Sequence, residues 1–143
     1  MGEMPEALAD GSQEALMAFL TSVSIACGGH AGDKATMRTT VEQALRRKLA
    51  IGAHPGYADR ANFGRVELDL SPEAIAESVF EQVSRLHEIA AKCGDRLSHV
   101  KAHGALYNQA ARDAVIAAAV AKGVARWRRD VVLVGLAGSP MLD

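Results

Sequence analysis

The feature that most constrains this chain is an alternation of short apolar runs with longer segments of helical period. Val23, Ser24, Ile25 and Ala26 read as a strand, after which Met37, Val41, Leu45 and Leu49 recur along one side of a helix. Leu49 to His54 reads as a second strand. Ile75, Val79, Val83, Leu86 and Ile89 then mark a long helix, and Leu97 to His103 a third strand. An alanine-rich helix over 112 to 125 and a fully apolar strand over Val131 to Leu136 complete the pattern. Crossovers of this length join parallel strands, because a tight hairpin serves only antiparallel ones. The expected fold class is therefore α/β in one domain over residues 1–143, with a parallel sheet that is either open or part of a barrel.

Local signals support these boundaries. Asp33 stands where an N-cap is expected, and Ser71-Pro72-Glu73 combines a capping hydroxyl, a proline in the first turn and an acid near the positive end of the helix dipole. Gly94 suits a left-handed stop. Residues 1 to 11 read as irregular, and Gln13 to Leu20 as a short helix. Tyr57 to Leu70 shows no period and is long for a simple connection, which favours a functional loop.

In parallel α/β folds, ligands gather at the carboxyl ends of the strands. Three successive strands here end at His30, His54 and His103, with Asp33 and Lys101 close in sequence. Period-two alternation sends His99, Lys101 and His103 to one face of the third strand and Val100 and Ala102 to the other. Histidine and aspartate either ligate a divalent metal, with His30 and His54 the candidate ligands, or work as a general base and its orienting partner. Protonated Lys101 is a poor metal ligand; it suits a developing oxyanion or an anionic substrate. Asp33 is equally explained by helix capping, and Arg65 by a surface position or by a substrate carboxylate or phosphate. Tyr107 and Asn108 either bind a ligand or cap the next helix. His87 and His99 read as structural.

Other chemistries are disfavoured. Gly28 to Lys34 has the wrong spacing for a phosphate-binding loop, and Asp33 would repel a phosphate there. A net charge of −1 and 4% aromatic residues argue against nucleic-acid binding. Cys27 and Cys93 are too few and too far apart for a disulfide framework or a structural zinc site, so a reducing cytoplasm is expected. No apolar segment reaches membrane-spanning length.

The stretches Ser24-Ile25-Ala26-Cys27-Gly28-Gly29-His30-Ala31-Gly32-Asp33, Ala50-Ile51-Gly52-Ala53-His54-Pro55-Gly56 and Phe63-Gly64-Arg65 occur in an order that resembles the LamB/YcsF family. The resemblance continues through Leu70-Ser71-Pro72-Glu73, the run from His99 to Asn108, and Leu133 to Ser139. It implies an irregular (β/α) barrel similar to the polysaccharide deacetylase fold. It also implies an ATP-dependent 5-oxoprolinase, in which this chain works with two other subunits to open the lactam of 5-oxoproline to L-glutamate. On that expectation His30, His54 or His103 activates water and Lys101 steadies negative charge, while Asp33, Arg65, Tyr107 and Asn108 contact substrate. ATP is used by the complex. The family pattern departs here at Ala102, where proline is usual, and at Val66, where a second arginine is common. Family members have a strand before Met1-Gly2-Glu3 and continue past the fourth strand, so the barrel is expected to be incomplete. Two other readings are a metal-dependent amide or ester hydrolase and an inactive, truncated interaction module.

Overall fold

Strands β1 (Ser22–Ala26), β2 (Ala50–His54), β3 (His99–Val100) and β4 (Val132–Leu133) lie side by side in chain order, and every neighbouring pair is parallel. This is the arrangement in a computed structural model that describes residues 1–142. The sheet is open, with β1 and β4 at its edges. The α/β class expected from the alternation is therefore present as an unclosed parallel sheet.

Helices make the crossovers. Between β1 and β2 runs α3 (Lys34–Arg46), and between β2 and β3 runs α4 (Pro72–Lys92). Asp33 caps α3 through a reciprocal pair: its Oδ1 accepts from the Thr36 N–H at 2.8 Å, and its own N–H donates to Thr36 Oγ1 at 2.8 Å. Ser71 Oγ accepts from the Ala74 N–H at the start of α4, with Pro72 at the first helical position. Met37, Val41 and Ala44 of α3 and Val79, Val83 and Leu86 of α4 are buried with Ile25, Ile51 and Val100 of the sheet. The apolar periods thus fill the core on one face of the sheet.

Several boundaries differ from the sequence expectation. The opening residues contain two short helices, α1 (Pro5–Ala9) and α2 (Ser12–Met17), where the first was expected to be irregular. A helix α5 (Gly104–Ala110) starts directly after His103, and α6 (Ala114–Trp127) follows. Tyr107 and Asn108 lie inside α5, and it is Asp113 that caps α6, accepting from the Val115 N–H at 2.8 Å. Regular pairing in β3 spans two residues rather than Leu97 to His103, and β4 is likewise shorter than Val131 to Leu136.

The shortening of β3 has a covalent cause. Beyond Val100 the extended chain still donates, from the Lys101 N–H to the Ala53 carbonyl at 2.9 Å and from the His103 N–H to the Pro55 carbonyl at 2.8 Å. A parallel ladder would return an N–H from position 55 to the Lys101 carbonyl, and Pro55 has none. The ladder therefore becomes one-sided, and the Lys101 carbonyl is left for another donor.

Candidate active site

That donor is a histidine. His54, the last residue of β2, places Nδ1 2.6 Å from the Lys101 carbonyl oxygen. A carbonyl only accepts, so Nδ1 carries the proton and Nε2 presents its lone pair. His103 is held the same way from the other side: its Nε2 lies 2.9 Å from the Phe63 carbonyl oxygen, which leaves Nδ1 as the lone pair. These two nitrogens face each other at 3.2 Å. Two neutral imidazoles fixed by outward N–H donors cannot hydrogen-bond to one another, so the gap between them calls for a cation or a shared proton.

Glu3 adds negative charge at the same point. One of its carboxylate oxygens is 3.0 Å from His30 Nε2 and 3.8 Å from His103 Nδ1. The backbone delivers it there because residue 1 lies beside β1, with the Ala26 N–H donating to the Met1 carbonyl at 3.0 Å, and Gly2 is pinned by its N–H to Gln13 Oε1 at 2.6 Å. Burial raises the Glu3 carboxyl, but the His30 hydrogen bond and nearby positive charge outweigh it and hold the pKa at about 2. Glu3 is therefore ionised at neutral pH.

His30 is 1% exposed and stacks on His103, ring centroids 3.6 Å apart. Its Nε2 is taken by Glu3, and its buried Nδ1 has no hydrogen-bond partner among the described residues. The three imidazoles that sequence analysis assigned to separate strand ends do converge. The set able to hold a metal is nevertheless Glu3, His54 and His103, whose ligand atoms all lie within 4.8 Å of one another. Of the two ligands expected from sequence, His54 is in this set; His30 lies beside it with Nε2 on Glu3, and His103 is the second imidazole. Two imidazole nitrogens and a carboxylate suit a divalent cation such as zinc or manganese. Burial, opposed by the bond to the Lys101 carbonyl, drives the His54 pKa down to about 4, and burial also lowers that of His103. Neutral rings are what a metal or a proton in flight requires.

The remaining candidates lie farther out. Asp33 is exposed and its side chain is engaged in the cap of α3, although it borders the same hollow as Glu3 and His30. Arg65 is exposed and lies 5.2 Å above the Phe63 ring, whose edge packs against both His30 and His103. Lys101 is half-buried, with Nζ 5.5 Å from the centroid of the Tyr107 ring. Asn108 is exposed, and its carbonyl accepts from Arg112 at 3.1 Å.

Sequence reasoning missed Glu3. The opening residues carry no period, so Glu3 entered only within the Met1-Gly2-Glu3 stretch of the family pattern, with no role attached. It also missed Gln82, which is buried on α4 and grips both backbone groups of Gly56, donating to its carbonyl at 2.8 Å and accepting from its N–H at 3.1 Å. That grip fixes the turn against which His30 and His103 pack.

Known proteins resemble this chain over its whole length. The protein of Bordetella pertussis named as the A subunit of 5-oxoprolinase is 49% identical over 143 residues, covering all of this chain and 57% of that protein. The protein of the same name from Chloroflexus aggregans is 48% identical over 142 residues and is covered to 56%. The crystal structure of the lactam utilization protein from Thermus thermophilus superposes with a TM-score of 0.94 at 37% identity, over 99% of this chain and 57% of that one. The chain thus spans a little over half the length of the relatives it matches. The LamB/YcsF family model matches residues 1–143, and the chain belongs to the LamB/YcsF family.

Proposed function

We propose that the chain supplies the lactam-opening centre of an ATP-dependent 5-oxoprolinase, acting in the cytoplasm with two partner subunits to convert 5-oxoproline to L-glutamate. The observation that carries this reading is the convergence of His30, His54, His103 and Glu3 at the carboxyl ends of the strands. The names of the relatives, the A subunit of 5-oxoprolinase and a lactam utilization protein, supply the substrate.

A lactam is a poor electrophile, and phosphoryl transfer from ATP to its oxygen, carried out by the partners, activates the ring carbon; after water adds there, the C–N bond breaks with a proton delivered to the ring nitrogen, and a second water releases phosphate from the acyl phosphate so formed. His54 Nε2 and His103 Nδ1 then take the proton of the attacking water and share it across their 3.2 Å gap. The Glu3 carboxylate stabilises the pair once it is charged, and His30 holds Glu3 in place. Lys101 adds positive charge on the same sheet face for the anionic substrate. In assemblies with the partner subunits, ATP and 5-oxoproline, H54A and H103A are expected to lower glutamate release by about 100-fold or more. Undiminished release by the double variant would overturn the assignment, and ATP hydrolysis by this chain alone would overturn the division of labour.

The facing lone pairs favour a second reading, a metal-dependent amide or ester hydrolase. Glu3, His54 and His103 would hold the metal, which when bound would supply Lewis acidity. Here His30 orients the carboxylate, while the Lys101 and Phe63 carbonyls fix the two ring tautomers. Stoichiometric zinc or manganese in protein purified without chelator would decide for it.

A further inference from the structure

The sheet has a second polar locus on the same face as the histidine cluster, one step back along the strands. His99 of β3 does not stand upright from the sheet. Its ring lies across β2 above Gly52, where a Cβ would overlap the ring atoms, and it reaches Ser24 of β1 with Nε2 3.2 Å from Oγ. Only glycine at position 52 leaves room for this. The Ser98 hydroxyl donates to the Ile51 carbonyl at 3.0 Å, so His99 Nδ1 donates to Ser98 Oγ at 2.9 Å and Nε2 accepts from the Ser24 hydroxyl.

These groups line an open cleft of about 490 Å³ with Ser22 and Lys101, and valines 132 and 134 form its far wall. No acid lines the cleft among the described residues. Nor is Lys101 a member of any ion pair among them, although it is half-buried. An ammonium in a hydroxyl-lined cleft with no carboxylate of its own is a site for someone else's. Two residues along a strand separate Lys101 from His103, which is roughly 7 Å. That span suits a small molecule anchored at one end and reacting at the other.

We propose that Lys101, in the cleft walled by the Ser24–His99 pair, is an anion subsite that seats the carboxylate of a five-membered lactam acid and so turns its ring carbonyl toward Glu3, His54 and His103. The proposal rests on reading the histidine cluster as the lactam-opening centre, and it adds what selects the substrate. In 5-oxoproline the carboxylate and the ring carbonyl flank the ring nitrogen on opposite sides, so fixing one end orients the other. Neutral lactams of the same ring size lack the anchor.

The test is direct binding to the full chain by titration calorimetry, with L-5-oxoproline and 2-pyrrolidinone, which has the same ring without the carboxylate. The acid is expected to bind at least about tenfold more tightly, as a charge-assisted contact would dictate. K101M should bring the two affinities level, and K101R should restore the difference. Addition of 5-oxoproline or of acetate should shift the His99 ring resonances in NMR spectra. Equal affinity for the two lactams in the unmodified chain, or an undiminished preference in K101M, overturns the subsite. Failure of the catalytic reading looks different: a Lys101-dependent preference for the acid without glutamate release in the full assembly keeps the subsite and removes the reaction.

Discussion

At the scale of single residues, the site is built from side chains kept uncharged by burial beside one that is kept charged. His54 accepts a proton only near pH 4 in the folded chain, but near 6.5 when unfolded. Between those values the unfolded state holds one more proton, so stability falls as pH drops from 6.5 toward 4 and this contribution is flat below that. For metal-stripped protein the His54 part of the loss should be about 2–3 kcal/mol, measured by urea unfolding at pH 7.5 and pH 4.5, and H54F should lose that part while keeping what His103 and His99 contribute. Cys27 is the second case. It is fully buried, accepts the His54 N–H at 3.2 Å through Sγ, and its thiol is pushed up to about 12 by burial. Iodoacetamide at pH 8 should therefore modify Cys93 and spare Cys27, as read by peptide mass spectrometry.

At the scale of elements, the placement of the site depends on how strands end and how closely helices pack. Pro55 stops the β2 to β3 ladder and frees the carbonyl that orients His54, so the same residue that ends the strand sets the tautomer. The helix pair α4 and α6 packs tightly through Gly123, where a Cβ would lie 2.5 Å from the Ala76 carbonyl oxygen. Helix propensity alone would make G123A up to about 1 kcal/mol more stable. The clash is with backbone, which cannot turn away, so G123A should instead lower stability by roughly 1–3 kcal/mol in thermal or urea unfolding. A gain in stability would mean that the two helices slide apart at little cost.

For the molecule as a whole, the site ties together the opening residues, β2 and the chain beyond β3, since Glu3, His54 and His103 are far apart in sequence. A cation that binds this set binds only the folded state. Zinc or manganese at about 100 times its dissociation constant should stabilise the fold by about 2.7 kcal/mol. For a chain of this size that is a rise in melting temperature of roughly 5–10 °C over a chelator-treated sample. H103A should abolish the rise, and an unchanged melting temperature in the parent chain would argue for the shared proton instead. By itself the sequence determined the parallel α/β class, the caps at Asp33 and Ser71, and the three histidines at strand ends, because apolar period, capping chemistry and strand alternation are local properties. Only the tertiary structure decided that Glu3 joins them, that His54 and His103 rather than His30 face each other at 3.2 Å, and that His99 lies over Gly52 to meet Ser24. Those outcomes turn on which carbonyl each ring nitrogen finds and on where a missing side chain leaves space, and both are fixed by residues distant in the chain.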